Sequence, residues 1–187
     1  MFVERFMVWS AKVGPDERAD AVVRLAEGFL KDRLAVVDRC DVAKVLTFAL
    51  DDPSIKVRKR LARTVARFKD APRALIWGLS QDVVDVSAEI YGRSTALRST
   101  EIIEAIGRGE PVIEMAIAAR STLDSAIIRM LVKRGDARAI LKLIDNPHVV
   151  LGPGLLHDIA SRLGGDADVR SAMLAQEDLA PATRQLL

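Results

Sequence analysis

Lys56, Arg60, Arg63 and Arg67 lie in the stretch "DPSIKVRKRLARTVARF", which covers residues 52–68. Their 4-3-4 spacing places them within about 60° of one another on a helical wheel. Four cations on one helix face are the chemistry of electrostatic recognition, of phosphates or of an acidic protein surface. Segment 56–73 holds eight basic residues and one acidic, while the whole chain of 187 residues carries only +2. The remainder is therefore −5, and a compensating acidic surface is expected. Asp82, Asp85 and Glu89 recur at 3-4 spacing in the next segment, and Glu110 and Glu114 follow. These are expected as exposed positions on neighbouring helices, so that the basic stripe faces an acidic one.

Residues that could catalyse are not brought into any recognisable pattern. The serines lack a GxSxG setting, and no glycine loop suited to phosphates is present. Cys40, His148 and His157 are not at metal-ligand spacing, so neither metal nor cofactor is expected. His148 reads as a loop residue and His157 as a helix-surface residue. A single cysteine allows no internal disulfide and fits a reducing compartment. The start, "MFVERFMVWSAKVG", is interrupted by Glu4, Arg5 and Lys12, unlike a signal peptide, and no apolar run reaches 18 residues. The expectation is a cytoplasmic protein without a membrane span.

The elements that must position these charges are helices. Half of the residues are hydrophobic, mainly Ala, Leu, Val and Ile, and 4% are aromatic. That composition, with helical periodicity and no alternating strand pattern, predicts an all-α fold. Breakers punctuate the chain: "VGPDE" at 13–17, "DDP" at 51–53, "DAP" at 70–72, "GRGEP" at 107–111, "RGD" at 134–136, "DNP" at 145–147, "LGPG" at 151–154 and "LGGD" at 163–166. Acidic helix starts at Asp52, Asp82, Glu110, Asp136 and Asp166 recur every 26–30 residues and read as caps or first-turn acids. Segments beginning at Leu97, Leu123, Leu151 and Leu179 lead into them. Two helices per period predict a helical-repeat array. One set of helices should begin near residues 41, 72, 99, 124, 153 and 180, and its partners near 53, 82, 110, 136 and 166.

Asp52, Pro53, Val57, Arg58, Leu61, Ala62 and Val65 resemble the second-helix motif of HEAT repeats. Val169-Arg170 restores the motif's Val-Arg pair, whereas Val86-Ser87 and Met115-Ala116 depart from it. That resemblance implies that Arg58, which projects among apolar positions, pairs with an acid within or between repeats. Further, "DDPSIKVRKRLARTVARFKDAPRALIWGLSQD", "RSTALRSTEIIEAI", "AIAARSTLDSAIIRMLVKRGD" and "DLAPATRQLL" are similar to the alphaproteobacterial family named domain of unknown function 2336. The similarity extends over about residues 15–187. It implies a HEAT-like helical fold and a bacterial setting, and brings no catalytic residue.

These readings combine into a single domain over 1–187. It is an all-α, right-handed α-solenoid of degenerate HEAT-like helix pairs, with a helical cap over 1–40, repeats over 41–187 and an incomplete last repeat. The expected role is non-catalytic. Lys56, Arg60, Arg63 and Arg67 attract a protein or peptide partner, and Asp82, Asp85 and Glu89 set its register. Nucleic acid is the alternative partner; its least favoured form is an alkylated-base DNA glycosylase, with Trp77 beside the stripe and Asp82 or Asp85. Phe2, Phe6, Trp9 and Val13 share one face of the first helix, which either closes the array or forms a homodimer contact.

Overall fold

The computed structural model describes residues 2–31, 36–176 and 179–187, and the side chains of all of these except 36 and 37. Asp178, which opens the closing segment quoted above, lies outside the described residues. Among them there are thirteen α-helices and no strand. The chain divides into two compact units, residues 1–97 and 98–187.

Unit 1 contains α1 (Phe2–Ser10), α2 (Pro15–Leu30), α3 (Val36–Phe48), a 3₁₀ turn at Ala49–Asp51, α4 (Ile55–Val65), α5 (Arg73–Ser80) and α6 (Val84–Arg93). The even-numbered helices pack in series, α2 on α4 and α4 on α6. Helix α1 packs on α3, and the 3₁₀ turn after α3 meets α5. The first two helices thus follow the same alternation as the later pairs. Leu46, Leu61, Ile76, Leu79 and Ile90 are fully buried. Each contributes roughly 1.5–3 kcal/mol by leaving water.

Unit 2 contains α7 (Ser99–Gly107), α8 (Pro111–Ala118), α9 (Ser125–Arg134), α10 (Ala137–Ile144), α11 (Pro153–Leu163), α12 (Ala167–Leu174) and α13 (Pro181–Arg184). Odd helices again pack on odd, α7 on α9, α9 on α11 and α11 on α13. Even helices pack on even, α8 on α10 and α10 on α12. Ile106, Ile117, Leu131, Ile140, Leu143, Ile159 and Met173 fill the space between the layers. The buried amide of Asn146, from "DNP", donates to the carbonyls of Ala118 (2.7 Å) and Arg120 (2.8 Å). It thereby satisfies the end of α8 that intrahelical bonds leave open.

The acidic helix starts divide into three kinds. Asp136 accepts from the Arg138 and Ala139 amides, and Asp166 from those of Asp168 and Val169, so both are N-caps. Glu110 occupies the N-cap position of α8 without a side-chain bond. Asp52 and Asp82 do not cap α4 or α6, whose N-cap residues are Ser54 and Val83. Their carboxylates are engaged by arginines from the preceding even helix. Each also accepts one backbone amide, Asp52 from Ser54 at 2.9 Å and Asp82 from Val83 at 2.7 Å, so the charge-assisted, two-point bond to guanidinium is added to a local turn.

Candidate functional site: the charged surface of α2, α4 and α6

Helix α4 buries Val57, Leu61, Ala62 and Val65 and leaves its cations along two edges. Toward α2, Lys56 pairs with Asp16, and Arg60 with Asp20 at 2.5 Å. Both cations and both carboxylates are spaced four apart, so two helical rows meet in register. Toward α6, Lys59 reaches Asp85 at 3.3 Å and Arg63 reaches Glu89 at 2.6 Å. These two pairs share an offset of 26 positions. Arg67 lies past the end of α4 at Val65, so it does not continue the helix face expected for Lys56, Arg60 and Arg63; it is exposed, with no acidic partner among the described residues.

Two deeper contacts underlie this surface. Arg58 places Nε and Nη2 on the Asp82 carboxylate, at 2.7 and 3.0 Å, and donates Nη1 to the Asp52 carbonyl at 2.5 Å. Arg18 repeats the arrangement one helix earlier. Its Nε and Nη2 meet Asp52 at 2.8 and 3.1 Å, and Nη1 donates to the Val13 carbonyl at 2.9 Å. Arg58 and Asp82 are only 14% and 12% exposed. The hydrogen bond donated to Asp82 raises the already high Arg58 pKa against the opposing effect of burial, and the bond donated to Asp52 does the same for Arg18. Both guanidiniums are fixed as cations.

The exposed positions expected on α6 and α8 need correction. Asp85 is exposed, but Glu89 is 9% exposed and Glu114 only 1%. Glu89 sits under Arg63, with Arg93 Nε 3.3 Å from its second oxygen. Burial pushes the Glu89 carboxyl upward; the hydrogen bond and charge of Arg63, with Arg93 and Lys59, outweigh this and hold it below the usual glutamate range. Glu114 accepts the backbone amide of Asp136 at 2.7 Å, which satisfies the start of α10. Wheel geometry within one helix cannot reveal either burial, because the covering group comes from another helix.

Asp16, Asp20 and Arg18 are the members that the sequence reading missed. The signal was available in "GPDERAD", whose acids at four-residue spacing complement Lys56 and Arg60. Assigning α2 to a cap concealed it. Asp16 ionises more readily than an ordinary aspartate because Lys56 bonds to it and adds its charge.

The remaining sequence candidates lie apart from this surface. Helix α1 ends at Ser10, so Val13 lies beyond the helix face it was expected to share with Phe2, Phe6 and Trp9. Phe6 and Val13 are half-buried, whereas Phe2 and Trp9 are 44% and 37% exposed. The Phe6 and Trp9 rings are 5.5 Å apart. Trp77 is exposed on α5, and Cys40, His148 and His157 are exposed. Among the described residues, no three of His, Cys, Asp and Glu are grouped to hold a metal ion, and no helix is long and apolar enough to cross a membrane.

The molecule is thus of the all-helical class, built from short helices in alternating layers and carrying a row of interhelical ion pairs. It belongs to the bacterial family described as an uncharacterised protein conserved in bacteria (DUF2336), whose family model matches residues 86–187. No curated protein and no solved structure matches the chain. Residues 15–85, over which the resemblance was also drawn, fall outside the match, and with them α2 and α4.

Proposed function

We propose that this protein is a non-catalytic scaffold or adaptor of the cytoplasm, whose degenerate HEAT-like helix pairs, the repeat of a right-handed α-solenoid, present the α2–α4–α6 surface to another protein. The observation that carries this reading is the alternation of charge across that surface. Acids of α2, cations of α4 and acids of α6 lie in adjacent rows, within ion-pair distance. A polypeptide with its own alternating charge can exchange partners with such rows. The exposed pairs each stabilise the fold by only about 0–1 kcal/mol, so their replacement costs little. Duplex DNA is a poor occupant, because carboxylates flank the cations on both sides and interrupt any track for phosphates.

The test is affinity capture from a nuclease-treated lysate of the source bacterium. Wild type is compared with a variant carrying Lys56→Gln, Arg60→Gln and Arg67→Gln. Arg63 is left intact, since its loss would strand Glu89. A protein retained by the wild type and lost by the variant is the expected result. Equal capture by both would remove the surface from the function.

A further inference from the structure

The fourth residue of several even helices bridges to the start of the next even helix. Arg18 of α2 holds Asp52 ahead of α4, and Arg58 of α4 holds Asp82 ahead of α6. Glu114 of α8 accepts the backbone amide of Asp136 ahead of α10. One turn further along, on the same face, stand Val22, Ala62 and Ala118, which are 2%, 0% and 0% exposed. A bridging residue and a covered aliphatic residue, four apart, therefore mark the face of an even helix that receives its neighbour.

Helix α12 carries the same two positions as Arg170 and Leu174. Arg170 Nη1 donates to the Gly164 carbonyl six positions upstream, as Arg58 Nη1 donates to that of Asp52. This contact aims the guanidinium along the helix start in the way seen at Arg58. Its Nε and Nη2, however, meet no carboxylate among the described residues. Leu174, in the place of the fully covered Ala62, is 41% exposed. A pre-positioned guanidinium beside an uncovered aliphatic side chain is half of the arrangement that Asp52 and Asp82 complete elsewhere.

We propose that the Arg170–Leu174 face of α12 is a docking site for a helix of a partner polypeptide. The partner brings an aspartate or glutamate just before or within its first helical turn, with an aliphatic residue behind it. The carboxylate takes the two parallel N–H bonds of Arg170, and the aliphatic residue covers Leu174. A helix start is favoured over a loose acidic segment, because both completed examples place the acid within three residues of a helix N-terminus. The site is separate from the α2–α4–α6 surface and stands or falls independently of it.

The test is photo-crosslinking of the full chain in the source bacterium. A benzophenone amino acid is placed at Leu174 or, as a second probe, at Ser171, and the cross-linked peptide is sequenced. Exposed Lys142 on α10 serves as the control position. The expected product joins another polypeptide through a segment with an acid at a helix start. Its yield should fall about tenfold or more with Arg170→Gln, the effect of losing one charged two-point bond. Arg170→Lys, which keeps the charge and a donor for Gly164 but not the fork, should also fall markedly. No product above the Lys142 control at either position would overturn the proposal. So would a product insensitive to both substitutions, a partner segment without an acid, or a product joining α12 to α12 of a second copy.

Discussion

Arg58 and Lys59 are neighbours on α4 and both meet carboxylates ahead of or within α6, yet they differ in worth. The Arg58–Asp82 pair is largely buried and bonded at two points, whereas Asp85 is 70% exposed beside Lys59. Removing one partner of a buried pair leaves the other charge without its counter-ion. Arg58→Gln should therefore lower unfolding free energy by about 2–3 kcal/mol. Lys59→Gln should change it by less than about 1 kcal/mol. Urea titration followed by circular dichroism separates the two. Glu89 adds a pH signature. Its folded pKa lies below that of an unfolded glutamate, about 4.3. The stabilisation is full above that value and is lost as pH falls toward the lowered folded value. Glu89→Gln should accordingly cost about 1 kcal/mol at pH 7. The gap between wild type and variant should shrink in urea titrations below about pH 4.3, and an unchanged gap at pH 3 would deny the ion pair its role.

The helices themselves were legible because their punctuation is local. Proline, glycine and aspartate at "DDP", "GRGEP" and "RGD" interrupt 3.6-residue periodicity, and α4, α8 and α10 begin within a few residues of the expected places. What each acidic start does was not legible. Asp136 and Asp166 cap their own helices, whereas Asp52 and Asp82, besides one local backbone amide each, hold Arg18 and Arg58, and only packing distinguishes them. Asp136→Ala and Asp166→Ala should each cost about 1 kcal/mol through loss of a cap. Hydrogen exchange should show the protection loss concentrated in the first turns of α10 and α12. Gly109, just beyond α7, has φ of 73°, a conformation that disfavours a side chain. Gly109→Ala should destabilise by about 1 kcal/mol, whereas Gly107→Ala, where an added Cβ meets nothing within 4 Å, should be tolerated.

Over the whole chain, 28 basic residues stand against 26 acidic ones, and the excess over segment 56–73 is answered elsewhere. The sequence reading anticipated an acidic row facing the stripe on one side. The second row, from α2, emerges only once α2 is seen to pack on α4 as α4 packs on α6. That detail distinguishes a phosphate track from a surface of alternating charge. Carboxylates on both flanks pair with the α4 cations, and on the proposed reading a nucleic acid is therefore not the expected occupant. Fluorescence anisotropy of a labelled duplex, titrated with the protein at low salt, tests this central claim most directly. No saturable binding is expected up to tens of micromolar protein, where non-specific DNA-binding proteins already associate at physiological salt. Saturable binding whose affinity falls with a log–log salt slope near −3.6, the value for four released phosphate contacts, would contradict the claim.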